Sequence, residues 1–169
     1  MLVTGICGEV TGEMVLRFRQ DVLVRQPASV VILGGTNDLG WQAEPAEIMR
    51  NLIKMYEQAR GARIRPVAVT VPSIRIGPLE DESLSVANRR EAEQVLATHL
   101  RGRHSLNRLI GDYCHRQEVA CVDLFQATVE PDTLQLAALY SNDGLHLTTA
   151  GYRLLADLLF EQVFATAFP

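Results

Sequence analysis

Short apolar runs alternate with amphipathic stretches along the chain. Four runs of largely β-branched or aliphatic residues are typical of buried strands, at residues 2–6, 30–33, 67–71 and 119–124. Between and after them, apolar positions recur at three- and four-residue steps, which predicts amphipathic helices. These helices are predicted from Glu13 until Pro27 stops the pattern, from Pro45 to Gly61, over residues 91–116, and over residues 154–163 with Thr148 or Thr149 as the N-cap.

Strands that alternate with helices predict right-handed crossovers and a parallel sheet with helices on both faces. We therefore expect a three-layer α/β/α sandwich that forms a single domain over residues 1–169. Residues 73–88 mix Pro, Gly, Glu and Asp and are predicted to form a surface loop near the strand ends. In such sheets the ligand site lies beyond the carboxyl ends of the strands.

Composition and charge argue against several classes of partner and site. The chain is 47% hydrophobic and carries a formal net charge of −4 without a polybasic run, which argues against nucleic acid as a partner. It has no apolar stretch of about 18 residues, so no membrane span is predicted. Cys7, Cys114 and Cys121 form no C-x-x-C pair, and no metal site is expected. The N-terminus lacks a signal-peptide pattern, which predicts a cytoplasmic protein for the chain as written and leaves localisation open if a segment precedes it.

Two clusters carry candidate chemistry. The first, Gly34-Gly35-Thr36-Asn37-Asp38, follows a predicted strand directly. Its glycines allow a sharp turn and a close ligand, and Asn37 offers a side-chain amide, although a turn capped by Asn and Asp accounts for the spacing equally well.

The second cluster is Asp143-Gly144-Leu145-His146, just before the last predicted helix. A carboxylate three residues ahead of an imidazole can hold Nδ1–H and leave Nε2 free as a general base. A capped turn beside an exposed histidine is the simpler alternative. The other histidines, His99, His104 and His115, lie in the long predicted helix and lack such a neighbour.

Together the segments GGTND (34–38), DGLHLT (143–148) and AGY (150–152) resemble the SGNH/GDSL esterase–lipase superfamily over nearly the whole chain. Residues 5–11 (GICGEVT) resemble that family's second block. The resemblance implies a flavodoxin-like fold and hydrolysis of a small-molecule carboxylic ester with no cofactor. It assigns His146 as general base, Asp143 as its orienting acid and Gly8 and Asn37 as oxyanion-hole donors. The resemblance also implies that Gly35, Thr36 and Asp38 form the loop that supports these donors.

The family's nucleophile, a serine in a Gly-Asp-Ser block, has no counterpart here. No Gly-Asp-Ser occurs in the chain, and only seven residues precede Gly8. The domain therefore looks N-terminally truncated relative to the family, and no nucleophile is identified. Ser73, Ser141 and Cys7 are the only substitutes that their positions do not exclude.

The family's first strand is central in its sheet, so its absence has a structural consequence. We expect the strand at residues 2–6 to pair directly with the strand at residues 30–33, giving a four-stranded sheet with a weakened edge. Exposed edge strands would favour a homodimer.

Two other functions compete with ester hydrolysis. The main alternative is an inactive relative or binding module that retains the acyl-ligand pocket, because the serine is missing. A flavodoxin-like binder of a nucleotide or a flavin would share the fold, but residues 34–38 match neither G-x-G-x-x-G nor G-x-x-x-x-G-K-[ST].

Overall fold

The computed structural model describes residues 2–77 and 86–165. From residue 11 to residue 122, helices and strands alternate as predicted. Their bounds in chain order are α1 Thr11–Asp21, a 3₁₀ turn Leu23–Arg25, β1 Ser29–Ile32, α2 Thr36–Gly40, α3 Pro45–Gly61, β2 Arg65–Val69, α4 Val86–Gln117, β3 Ala120–Val122, α5 Leu124–Thr128, α6 Thr149–Leu159 and a π-helical turn Phe160–Phe164.

The three strands form one parallel sheet in the order β1-β2-β3. Val31 pairs with Val67, and Val67 pairs in turn with Ala120. Consecutive residues of β2 from Pro66 to Val69 are all buried, so both faces of the sheet are covered at its centre. The expected α/β class with a parallel sheet is confirmed.

The chain divides into two compact units. The first comprises Met1–Val71 and Ser105–Val122, and the second comprises Pro72–His104 and Asp123–Pro169. The sheet and one apolar core lie in the first unit, where buried residues of α1, α3 and the second half of α4 pack together with residues of β1 and β2. The prediction of a single domain over residues 1–169 stays a prediction.

The strand predicted at residues 2–6 is wrong. This segment has no regular secondary structure, and Leu2, Val3 and Ile6 are exposed. The predicted four-stranded sheet is therefore wrong as well: three strands pair, and β1 is an edge strand whose second side meets no strand among residues 2–77 and 86–165. A β-strand exists only through its ladder of hydrogen bonds to a neighbour, and residues 2–6 do not reach such a ladder.

The predicted helices are all present, with bounds shifted by a few residues. The first helix begins at Thr11, two residues before Glu13, and Pro45 occupies the first turn of α3 as predicted. Thr148 caps α6, because its hydroxyl accepts a hydrogen bond from the Gly151 N–H at 3.3 Å. Of the predicted loop at residues 73–88, residues 73–77 are irregular, 78–85 lie outside the described residues, and α4 already begins at Val86.

Candidate active site

The second unit contains a carboxylate–imidazole pair at the predicted position. His146 Nδ1 lies 2.7 Å from Asp143 Oδ2. The other carboxylate oxygen, Oδ1, accepts the N–H of His146 at 2.8 Å and the N–H of Leu145 at 2.9 Å. These bonds fix the side chain of Asp143 against the imidazole, and they leave His146 Nε2 without a partner in the described part of the chain.

The electrostatics of the pair favour a permanently ionised acid. The hydrogen bond from His146, followed by those from the backbone N–H groups of Leu145 and His146, holds the pKa of Asp143 well below its usual range. Both side chains are more than half exposed, so the pair is open to a substrate from solvent. An ionised Asp143 stabilises the imidazolium that forms when His146 takes up a proton.

Backbone pairing holds the loop that carries this pair. Ser141 and Leu147 form an antiparallel bridge across it, and Thr148 donates from its N–H to the carbonyl of Tyr140 at 2.8 Å. The Thr148 hydroxyl donates to the carbonyl of Leu139 at 2.9 Å. The two ends of the loop that carries Asp143 and His146 are therefore bonded to each other just before α6.

The segment after β2 supports the same loop from a distant part of the sequence. Arg75 donates from its backbone N–H to the carbonyl of Gly144 at 2.8 Å. Its guanidinium pairs with Glu130 at 2.7 Å. The buried Arg103 donates to the carbonyl of Pro72 at 3.0 Å, and burial lowers its pKa to about 10, which still leaves it charged at neutral pH.

The first unit contains the predicted oxyanion donors. Asn37, in α2, donates from Nδ2 to the backbone carbonyl of Glu9 at 2.8 Å, which places its amide beside the residue that follows Gly8. Within the described residues, neither the Gly8 N–H nor the second N–H of the Asn37 amide has an acceptor. The segment before α1 and the first turn of α2 thus each present one N–H group that has no acceptor within the described residues.

The supporting loop is buried and tightly packed. Gly35 has a φ of +117°, and a Cβ on it would lie 2.7 Å from the side chain of Leu106, so only glycine fits. Thr36 begins α2, and the buried Asp38 accepts hydrogen bonds from Thr11. The structure thus brings together Asp143 with His146 in one unit, and the segment 8–11 with residues 35–38 in the other.

The three substitute nucleophiles differ in access. Ser73 is 1% exposed and donates to the carbonyl of Leu134 at 2.6 Å. Ser141 is 4% exposed and bonds Asp143 Oδ1 at 3.2 Å, not the imidazole, so it supports the acid. Cys7 is exposed and lines a cavity of about 490 Å³ with Gly8 and Ile6. Both serines are occupied as hydrogen-bond donors.

Sequence reasoning missed the residues that hold the site in place, chiefly Arg75, Thr11 and Ser141. Arg75 and Thr11 bind partners in distant segments of the sequence. Ser141 binds Asp143 in its own loop, but spacing alone does not distinguish a serine that supports the acid from one that acts as the nucleophile. Among the described residues, no group of three or more His, Cys, Asp or Glu side chains is arranged to hold a metal ion. None of the described helices combines the length and apolar character needed to cross a bilayer.

The chain is similar in sequence and fold to known proteins. The model of the GDSL-like Lipase/Acylhydrolase family matches residues 1–154. A Bacillus subtilis (strain 168) protein described as the uncharacterized lipoprotein YqeF is 27% identical over 171 residues, which covers 93% of this chain and 70% of that relative.

Solved structures share the fold. A GDSL-like lipase from Bacteroides thetaiotaomicron VPI-5482 matches with a TM-score of 0.79 and 28% identity, over 98% of this chain and 75% of that one. A catalytic mutant of Axe2, an acetylxylan esterase from Geobacillus stearothermophilus, matches with a TM-score of 0.69 and 20% identity, over 95% of this chain and 70% of that one. The second likeness concerns the fold alone.

Proposed function

The chain belongs to the GDSL-like lipase/acylhydrolase family, and on that premise we propose that it hydrolyses a small carboxylic ester through an acyl-serine intermediate. The observation that carries this proposal is the 2.7 Å contact between His146 Nδ1 and Asp143 Oδ2, which orients the imidazole and leaves Nε2 for proton transfer.

In the proposed mechanism, His146 takes the proton of a serine hydroxyl as its oxygen attacks the ester carbonyl carbon. The Gly8 N–H and the Asn37 amide stabilise the negative oxygen of the tetrahedral intermediate. The C–O bond to the alcohol then breaks, and His146 returns the proton to the departing oxygen. In the second half of the reaction, His146 takes a proton from a water molecule as the water oxygen attacks the acyl carbonyl carbon. The bond between that carbon and the serine oxygen then breaks, and His146 returns the proton to the serine oxygen, which releases the acid and restores the serine.

We place the nucleophile outside these 169 residues. The sequence contains no Gly-Asp-Ser, and Ser73 and Ser141 are buried and already bonded. About a quarter of the Bacteroides chain has no counterpart here, which leaves room in such a protein for a further block.

The test compares this chain with a form extended upstream in its gene, using p-nitrophenyl acetate as substrate. We expect hydrolysis only from the extended form, with His146→Ala lowering kcat/KM by about 10⁴-fold or more and Asn37→Ala lowering kcat by about 10²–10³-fold. A folded extended form that contains Gly-Asp-Ser and does not release p-nitrophenol would contradict the proposal.

Burial of both candidate serines also favours a second function, binding of an acyl ligand without turnover. In that case the native protein has the mass of this chain, 18.7 kDa, and binds an acetylated ligand that is recovered intact. Asn37→Ala should then weaken binding, whereas an unchanged affinity would count against this second function.

A further inference from the structure

The carboxylate of Asp38, next to Asn37 on α2, holds the segment that carries Gly8, the other proposed oxyanion donor. We propose that Asp38 is a positioning residue for the oxyanion hole, acting through Thr11, an inference that rests on the proposed ester hydrolysis. Its two carboxylate oxygens accept the backbone N–H of Thr11 at 3.0 and 3.1 Å, and the Thr11 hydroxyl donates to Oδ1 at 2.5 Å.

Asn37 and Asp38 are consecutive residues of α2, and they bind two alternate residues of the facing segment. Asn37 holds the carbonyl of Glu9 at 2.8 Å, while Asp38 holds the N–H of Thr11. Gly8 precedes this pair of anchored residues directly. The direction of its N–H relative to the Asn37 amide is therefore set by both side chains, and a shift at Thr11 changes the spacing of the two donors.

Burial makes this connection rigid. Asp38 is 5% exposed and Thr11 is 0% exposed. Within residues 2–77 and 86–165, no Lys, Arg or His bonds the Asp38 carboxylate. Its charge is met instead by the N–H and hydroxyl of Thr11, the first residue of the eleven-residue helix α1, whose N-terminus favours a negative group.

Two further contacts keep the segment from moving. Asn51, on α3, donates to the Thr11 hydroxyl at 3.2 Å, so the hydroxyl is bonded from both sides. Between Gly8 and Thr11, Arg17 binds the carboxylate of Glu9 through two nitrogens, and the Glu9 side chain is only 8% exposed. The segment is thus anchored at Glu9 and at Thr11, and Asp38 supplies the buried anchor.

A purely structural role, in which Asp38 only caps α1, makes a different prediction. A cap would change stability without altering the relation between the donors and the substrate. The positioning role requires that the Gly8 amide and the Asn37 side-chain amide change their environment, and that kcat falls while KM changes little, because an oxyanion forms only in the transition state.

The experiment uses Thr11→Val, which removes the hydroxyl bond but keeps the backbone bonds, and Thr11→Ser, which keeps both. Asp38→Asn is the direct variant, and Asp112→Asn, an exposed residue of α4, is the matched control. The first readout is the ¹⁵N–¹H spectrum of the folded 169-residue chain, read at the Gly8 and Asn37 amides. The second is kcat and KM for p-nitrophenyl acetate in the extended form.

We expect Thr11→Val and Asp38→Asn to shift both amide resonances and to lower kcat at least tenfold with KM within about threefold. Thr11→Ser, which keeps the hydroxyl, should retain most of the wild-type kcat. If Asp38→Asn does not fold, the two Thr11 variants decide. Unmoved resonances in folded Thr11→Val overturn the proposal, as does an unchanged kcat. If the extended form hydrolyses nothing, the proposed function fails, and the spectra still decide whether Asp38 positions the two amides.

Discussion

Gly144 and Arg75 lie in direct backbone contact. The Arg75 N–H donates to the Gly144 carbonyl at 2.8 Å, and a Cβ built on Gly144 would lie 2.0 Å from the Arg75 carbonyl oxygen. The φ of Gly144 is +81°, a backbone conformation that residues with a side chain rarely adopt. The loop that carries Asp143 and His146 therefore depends on the absence of a side chain at one position.

Gly144→Ala should displace this loop, because the new methyl group meets backbone atoms that cannot move aside. We expect the free energy of unfolding to fall by about 1–3 kcal/mol. In the ester-hydrolysing form, kcat/KM should fall by about 10²-fold, since a small misplacement of the imidazole suffices. Gly77→Ala is the matched control, because a Cβ there meets nothing within 4 Å. Equal effects of the two substitutions would show that the contact with Arg75 does not position the loop.

Asp143→Asn should cost about 10⁴-fold in kcat/KM in the ester-hydrolysing form, because the amide cannot stabilise the imidazolium of His146. The pKa of Asp143 is lowered on folding, so its contribution to stability is present above the pKa of an unfolded Asp and is lost as pH falls through the folded pKa. Stability measured at neutral pH and in acid checks this sign: the difference between wild type and Asp143→Asn should shrink as pH falls. Asp132→Asn, on the surface of the same unit, should leave both quantities unchanged.

Tyr56→Phe should stabilise the protein. The Tyr56 hydroxyl is buried and has no hydrogen-bond partner within the described residues. Removing it relieves an unsatisfied polar group and keeps the ring stacked on Tyr113, whose centroid is 5.6 Å away. We expect an increase of about 1 kcal/mol in the free energy of unfolding from urea denaturation. A decrease of that size would reveal a hydrogen bond at this hydroxyl in solution.

Tyr113 makes stability sensitive to alkaline pH. Burial and the hydrogen bond that its hydroxyl donates to Glu57 raise the pKa of Tyr113 to about 12. An unfolded tyrosine loses its proton near pH 10, so the stabilising contribution is complete below about pH 10 and is lost as pH rises toward 12. The free energy of unfolding should therefore fall more steeply between pH 10 and 12 in the wild type than in Tyr113→Phe. Parallel curves for the two proteins would contradict the assignment.

The sequence predicted the elements well because each helix shows its own apolar period. The contact between Asp143 and His146 was also predictable, because the two residues lie three positions apart in one loop. The bond from Thr11 to Asp38 was not predictable, since the two residues are 27 positions apart and neither interrupts a hydrophobic pattern. Partners at such separations are set by the packing of whole helices and strands.

At residues 2–6 the sequence predicted an element that the structure does not have. Their apolar pattern predicted a strand, but the pattern reports only a tendency to be buried and does not supply a neighbour with free N–H and carbonyl groups. Leu2, Val3 and Ile6 remain exposed instead. The same limit applies to Arg75, whose bond to Gly144 joins two loops that no local periodicity connects.

The edge strand β1 also affects how the isolated chain behaves at high concentration. Its four residues, Ser29–Ile32, include neither lysine nor proline, the residues that usually protect a sheet edge, and Val31 is 40% exposed. An unprotected edge of this kind is a template on which further molecules add strands and begin to aggregate. We expect Val31→Lys to interrupt that growth, because a charge on an edge strand opposes the addition of a further strand.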